Sequence, residues 1–333
     1  MLDIFFVISG YLIAGQIVLQ LSKGTFSLKE FYARRVRRIL PAAMVTLFFA
    51  LLSAYFVFPE QDRHTNGLLI LGAIYSFSNF VMAFDADTLE KGVRLMRHTW
   101  SLGVEEQFYM VFPVAMSLAF ALLRTKLWIV LLGVALLSFI WATVATSNDI
   151  PANYYFTHFR GWEFAVGALL IFLPQLSFSR VWANVLGLGS LTVIILNLLY
   201  LTPIQFGTPG PWALSPTMAT AVLIIVGRSK CIGSSVLSIP PMVLVGKISY
   251  SLYLWHLLIF DTYRASMNVG NFVGYKKGIL LYSVALFVAW LSWKYVEGPF
   301  RGGNSKINTR ALIWFVLAGF VLLTAMSAGL IWY

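Results

Sequence analysis

Long apolar runs separated by short polar and basic segments set the pattern of this chain. Runs of roughly 17 to 21 apolar residues recur along it, the length a helix needs to cross a hydrocarbon layer about 30 Å thick. They do not alternate with period two, which excludes a closed β-barrel. The predicted spans are Ile4 to Leu21, Leu40 to Phe58, Phe108 to Leu123, Leu127 to Thr146, Gly161 to Leu173, Val181 to Leu201, Leu214 to Val226, Ser249 to Tyr263, Gly278 to Val296 and Ala311 to Tyr333. Asn66 to Phe84 is a further apolar stretch. Its Ser76, Ser78 and Asn79 suit a segment that re-enters, lies buried among helices or forms a broken pair, because irregular backbone at membrane depth needs protein or water around it. The pattern predicts an all-α, polytopic integral membrane protein with about ten transmembrane helices plus one re-entrant or buried helical segment.

Composition agrees: 59% of residues are hydrophobic and 11% charged, against about 25% charged in an average soluble domain. A net charge of +11 would point to nucleic acid in a soluble chain. Here the basic residues fall in short segments between spans, so they report topology and contact with membrane lipids, and no nucleic-acid partner is expected. Between Lys23 and Arg38, the bases Lys23, Lys29, Arg34, Arg35, Arg37 and Arg38 are opposed only by Glu30, which assigns this segment to the cytoplasm. Arg124, Lys126, Arg180, Arg228, Lys230, Lys247, Arg301, Lys306 and Arg310 share that side if the spans alternate and Asn66 to Phe84 does not cross. His98, Glu105 and Glu106 then lie at the outer face, with Thr202 to Pro211 as an outer loop. Leu2 to Leu21 lacks a basic leader and a cleavage site and reads as a mature span.

Four groups carry chemistry. In FYARRVRRILP, Arg34, Arg35, Arg37 and Arg38 recur at spacings that share a helix face, and guanidiniums so placed either clamp phosphates or anchor the chain to anionic lipid. Pro41 stands where a new helix can begin, holding these arginines near the membrane surface. In HTWSLGVEEQFY, His98, Glu105 and Glu106 gather ionisable groups at the entrance of an apolar helix, where they serve in proton transfer or in a structural polar network. Trp100, Phe108 and Tyr109 are interface anchors or sugar-stacking rings. In YYFTHFRGWEF, His158 accompanies Arg160 and Glu163, which are spaced to pair across a helix turn or to contact substrate. In GKISYSLYLWHLLIFD, Tyr253, Trp255 and His256 offer a hydroxyl, an indole and an imidazole for a pocket or for bonds between helices. Glu297 and Arg301, with Pro299 between them, read as a structural lock at the cytoplasmic end. The single Cys231 and the dispersed His64, His98, His158 and His256 give no metal-binding pattern, and no GxxxxGK or GxSxG motif is present.

Six stretches in order resemble the bacterial membrane acyltransferase family 3, which includes O-acetylases of lipopolysaccharide and peptidoglycan. They are DIFFVISGYLI (Asp3 to Ile13), FYARRVRRILP (Phe31 to Pro41), HTWSLGVEEQFY (His98 to Tyr109), FRGWEFAVGALL (Phe159 to Leu170), GKISYSLYLWH (Gly246 to His256) and VEGPFR (Val296 to Arg301). The resemblance implies an acyltransferase-like membrane domain over 1–300, then a cytoplasmic loop and an additional span over 301–333. It implies transfer of an acyl group, usually acetyl, from cytoplasmic acetyl-CoA or another acyl-CoA to a hydroxyl of an envelope glycan or lipid-linked saccharide, at the bacterial inner membrane and without a metal.

By the same resemblance, Arg34, Arg35, Arg37 and Arg38 handle the CoA phosphates, with Arg35 and Arg38 the preferred pair. His98, Glu105 and Glu106 support the transfer, and Trp100, Tyr109, His158, Arg160, Glu163, Tyr253, Trp255 and His256 line the acceptor side. Family members carry an earlier span with an arginine and, eleven residues later, a proposed catalytic histidine, and some carry an SGNH-type domain after the last span. Neither matches a stretch of this sequence: the first departure reads as a truncated gene model, a start-site variant or an inactive remnant, and the second as a further truncation, a membrane domain that suffices by itself or a separate SGNH-type partner. A transporter or flippase of acyl groups or glycans, and an inactive remnant of the family, are the alternative readings.

Overall fold

A computed structural model describes residues 2–84, 93–147, 151–174, 176–200, 209–229, 231–268, 273–301 and 309–332. Among these residues the regular structure is helical throughout: α1 (Leu2–Ser22), α2 (Leu28–Phe56), α3 (Glu60–Ile74), α4 (Ser78–Phe84), α5 (Trp100–Leu123), α6 (Leu127–Ser147), α7 (Thr157–Leu169), α8 (Arg180–Tyr200), α9 (Leu214–Gly227), α10 (Ile232–Leu237), α11 (Pro240–Ser266), α12 (Tyr275–Leu291) and α13 (Thr309–Trp332). Eight helical stretches are long and apolar enough to cross a membrane. The two shorter predicted spans correspond to α7 and α9, and the expected loop from Thr202 to Pro211 lies largely outside the described residues. The protein is an all-α, polytopic membrane protein. Large apolar side chains on its long helices, such as Leu12, Leu118, Leu137 and Leu198, are exposed, as they are when lipid is the solvent.

The chain forms two compact units, each built from two segments. Met1–Phe26 and Val104–Val243 make the first, and Ser27–Gly103 and Leu244–Tyr333 the second. In the first, α1 packs on α7 and α9, α7 on α6, and α8 on α9 and α10. The α1 to α7 contact is close because both helices present glycine. A Cβ on Gly10 would overlap the carbonyl oxygen of Phe164, and one on Gly167 would overlap that of Val7. Small residues permit this approach, which dispersion rewards where water supplies no hydrophobic drive. Phe6 stacks on Phe164 beside it, their ring centroids 4.6 Å apart.

In the second unit α13 packs on α3 and α2, and α2 on α3. Ala42, Leu47, Leu51, Ile70, Leu254, Leu258 and Leu323 fill its core. Ser27 caps α2, accepting from the Glu30 amide at 3.4 Å, with Glu30 at the position that completes a capping box. The helix then runs unbroken through Pro41, so the expected new start there is absent and the arginines lie on the same rod as the span. Pro41 forfeits one backbone hydrogen bond, but it is buried, and packing of α2 on two other helices outweighs that loss. The apolar stretch Asn66 to Phe84 is a broken pair: α3 ends at Tyr75, Ser76 takes φ 62°, and α4 begins at Ser78. Ser78 and Asn79, fully buried, sit at the break.

Replacing Gly10 or Gly167 with alanine is expected to lower the stability of the purified protein by about 1–3 kcal/mol. The same substitution at Gly133, where an added Cβ meets nothing within 4 Å, is expected to leave it unchanged. Thermal unfolding in detergent micelles reads the difference.

Candidate functional site

The first unit holds two polar clusters. Glu105, near the start of α5, is buried, and its Oε1 accepts from Ser9 Oγ of α1 at 2.6 Å and from the Tyr109 hydroxyl one turn along. The Ser9 and Tyr109 oxygens lie 3.3 Å apart, so two hydroxyls and a carboxylate converge among apolar helices. Such a group can hold and redistribute protons, because a carboxylate with hydroxyl neighbours accepts while each hydroxyl both donates and accepts. Glu106, the next residue, is half-buried, while Gln107 accepts from Thr157 Oγ1.

The second cluster centres on Arg160 of α7, whose exposure is 1%. Its Nη1 reaches Asp3 Oδ1 at 3.0 Å and Glu163 Oε1 at 2.9 Å, and its guanidinium stands 4.5 Å from the centre of the Tyr154 ring. Glu163 is fully buried, so neither member of the predicted Arg160 and Glu163 pair faces solvent. Burial pushes the Tyr154 phenol up to about 12, with Arg160 opposing, so the ring stays neutral beside the cation. His158 stands apart, exposed on a shelf formed by Trp141 and Phe156 at 4.7 and 5.6 Å between ring centroids. Ser138 holds this turn, donating to the His158 carbonyl at 2.7 Å and accepting from the Trp162 amide at 2.9 Å.

In the second unit the His98 ring lies 5.0 Å from Tyr253 and 5.3 Å from His256, centroid to centroid. The Tyr253 hydroxyl donates to the His98 carbonyl at 2.7 Å and meets Ser101 Oγ, which ties the turn before α5 to α11. His98 is buried, and neither ring nitrogen has a hydrogen-bond partner among the described residues. Buried polar atoms are paired in the great majority of cases, so this imidazole has bonding capacity in reserve. His256 Nδ1 lies 2.8 Å from the Tyr253 carbonyl and 3.0 Å from that of Leu252, an arrangement that leaves Nε2 for another partner. Trp100 is buried, and Trp255 packs 5.4 Å from Phe49, its indole nitrogen without a hydrogen-bond partner among the described residues.

Arg34, Arg35, Arg37 and Arg38 follow one another on α2 in the same unit. Arg34 pairs loosely with Glu30 at 3.6 Å, Arg35 lies 5.5 Å from the Phe31 ring centre, and Arg38 is exposed. Among the described residues, no three His, Cys, Asp or Glu side chains gather closely enough to hold a metal ion.

The run HTWSLGVEEQFY, which reads as one constellation, has His98 in the second unit and Glu105 in the first. Sequence reasoning did not single out Ser9, Asp3 or Ser101. Asp3 had a usable signal, since an acid inside an apolar span needs a partner. Ser9 and Ser101 had none, because a lone serine in a membrane helix routinely bonds to its own backbone.

An all-helical membrane domain with buried carboxylates, hydroxyls and imidazoles belongs to the class of polytopic membrane enzymes and transporters. A family model for the acyltransferase domain matches residues 1–293, and the chain belongs to that acyltransferase family. It is 28% identical over 332 residues to the peptidoglycan O-acetyltransferase OatA of Listeria monocytogenes, covering 92% of this chain and 51% of that protein. A Staphylococcus aureus protein named provisionally as an O-acetyltransferase is 28% identical over 327 residues, covering 94% of this chain and 53% of its own length. An uncharacterized protein of Haemophilus influenzae is 33% identical over 241 residues, 67% of this chain and 96% of that one. The chain thus spans about half the length of the named O-acetyltransferases. No solved structure matches it.

Replacing Arg160 with methionine leaves Asp3 and Glu163 buried without their cation. The expected cost is about 3–5 kcal/mol, read as loss of folded protein in a thermal melt. Replacing Glu163 with glutamine, which keeps a hydrogen-bond acceptor and leaves Arg160 and Asp3 paired, is expected to cost clearly less.

Proposed function

We propose that this protein is a membrane O-acyltransferase that moves an acyl group, acetyl in the simplest case, from cytoplasmic acyl-CoA to a hydroxyl of an envelope glycan or its lipid-linked precursor. The observation that carries the reading is the acyltransferase-domain match over residues 1–293. The name of the Listeria relative supports peptidoglycan as the first acceptor to try.

The residues divide by chemistry. Arg34, Arg35, Arg37 and Arg38 supply positive charge on an accessible helix, which suits the phosphates of CoA. His98, with unpaired ring nitrogens beside Tyr253 and His256, suits acceptance of the proton that a sugar hydroxyl loses as it attacks the thioester carbonyl. The sulfur of CoA leaves as the new ester bond forms, and a proton returns to it. Glu105, bonded to Ser9 and Tyr109, suits a supporting role as a buried group that holds and passes protons. Glu106 is half-buried on the same helix, and His158, exposed beside Trp141 and Phe156, offers aromatic surface to a sugar ring. Arg160 and Glu163 fit best as framework, since Arg160 is held between Glu163 and Asp3 in the interior of the unit. The setting is the bacterial inner membrane, with an SGNH-type protein as a partner for onward transfer.

A role in translocating acyl groups or glycans draws on the broken pair α3 and α4, since discontinuous helices line substrate paths in transporters. Membrane vesicles containing the full chain, given acetyl-CoA labelled in the acetyl group, separate the two readings. The acyltransferase reading expects label ester-linked to glycan, with His98→Ala and Glu105→Gln each lowering the rate by about 100-fold. Unmodified glycan delivered across the membrane with no ester formed would overturn it.

A further inference from the structure

The segment that ends α12 departs from α-helical geometry at one place, and that place bears on the arginines of α2. Ser292–Glu297 forms a π-helical turn, followed by a tight 3₁₀ turn over Gly298–Phe300, after which Arg301 is extended. Such turns are rare and occur often at functional sites, because the extra residue re-aims the side chains that follow. Here it turns both Ser292 and Glu297 inward, where they are buried. Ser251 of α11 donates to Glu297 Oε1 and lies 3.0 Å from Ser292 Oγ. The other carboxylate oxygen of Glu297 holds Arg301 Nη2 at 2.8 Å. Glu297 is fully buried while the Arg301 side chain is 31% exposed, so the pair has a fixed inner end and an accessible outer one.

The same π turn and the 3₁₀ turn after it pack on α2. Tyr250 of α11 donates to the carbonyl of Ile39 at 3.0 Å, which pins α2 at the residue next to Arg38. Arg301 is thereby brought within electrostatic reach of Arg38: its guanidinium is pushed down by burial, Glu297 opposes the shift, and the Arg38 charge adds to it. Arg38 has no carboxylate within ion-pair distance among the described residues. Two guanidiniums with one buried carboxylate, which pairs with Arg301, leave net positive charge at an accessible spot. Like charges held together by the fold represent repulsion that a dianion would relieve. A lock alone would need Glu297 and Arg301 but no second cation.

We propose that Arg301, held by Glu297 beside Arg38, forms a two-guanidinium clamp for a phosphate group. This rests on the donor reading above for its preferred ligand, a phosphate of CoA, while the chemistry it shares with a lipid headgroup is the phosphate itself. Arg301 supplies an anchored, pre-oriented fork and Arg38 an exposed, adjustable one. Bidentate recognition of this kind distinguishes arginine from lysine.

The test uses the full chain in nanodiscs. Calorimetric titration with CoA, dephospho-CoA and pantetheine compares the parent protein with Arg301→Gln, Arg38→Gln, the double variant and Arg301→Lys. Each single variant is expected to weaken CoA by about tenfold or more. The double variant is expected to fall short of the product of the two losses, because the two residues act on one group. Pantetheine, which carries no phosphate, should not respond, and dephospho-CoA reports whether the 3′-phosphate is the one held. Arg301→Lys keeps the charge beside Glu297, so its unfolding temperature should be retained while its CoA affinity falls; this variant serves if the glutamine form fails to fold. A second arm measures phosphatidylglycerol retained by the purified chain. Unchanged CoA affinity and unchanged lipid retention in folded Arg301 variants would overturn the clamp, as would an equal loss for pantetheine. Should the parent bind no CoA while the variants lose phosphatidylglycerol, the clamp stands with a headgroup as its ligand and the donor reading fails. Normal CoA binding by every folded variant, with no change in lipid, sinks the clamp and leaves the donor reading intact.

Discussion

An ionised side chain among apolar helices must find an opposite charge or a set of hydrogen bonds, and much of the arrangement within each unit follows from that requirement. In the first unit Arg160 ties α7 to the start of α1 through Asp3, while Glu163 and the Tyr154 ring complete its surroundings. In the second, Glu297 joins the end of α12 to α11 through Ser251, Arg94 meets Asp62 at 2.6 Å, and Arg264 meets Asp261 at 3.0 Å. The links from Arg160 to Asp3 and from Glu297 to Ser251 each fix one helical segment against another helix in a rotation that apolar contact alone leaves loose. Helices greasy all round have no preferred face, and the polar groups supply one.

Backbone shape is the second constraint, and it acts where the charges do. The glycine contact between α1 and α7 lies one helical turn from Glu163, so close approach and ion pairing reinforce one another. Ser9 is next to Gly10, so the contact that seats α1 on α7 lies beside the bond from Ser9 to Glu105 of α5. The polar cluster therefore takes its position from the close approach of α1 and α7, which the Phe6 and Phe164 rings extend.

The helical fold was legible because a long apolar run in a chain with few charges has few other solutions. Eight of the predicted spans are long helices here, and Asn66 to Phe84 broke at the polar residues that marked it. Pro41 misled, since local chemistry argues for a helix start while packing keeps α2 whole. At the site, the histidines, acids and arginines stood out by type. Their partners did not: Asp3 is 157 positions from Arg160, and Ser9 is 96 from Glu105. Pairing at such separations comes from which helices adjoin, and hydrophobic periodicity is silent on that when every face is apolar. Glu297 and Arg301 were visible as an i, i+4 pair, yet the turn type that places them was not, because a π turn has no sequence signature of its own.

That turn has an evolutionary side. A π turn is what remains when an α-helix accommodates one additional residue without breaking, so the stretch from Ser292 to Glu297 is sensitive to length more than to identity. Loss of any one residue between Ser292 and Glu297 returns the segment to regular helix and removes the re-aimed turn that packs on α2 ahead of Arg301. Within this family, spacing between the WK-containing helix end and the following Glu-Gly-Pro should therefore be guarded more strictly than the residues that fill it.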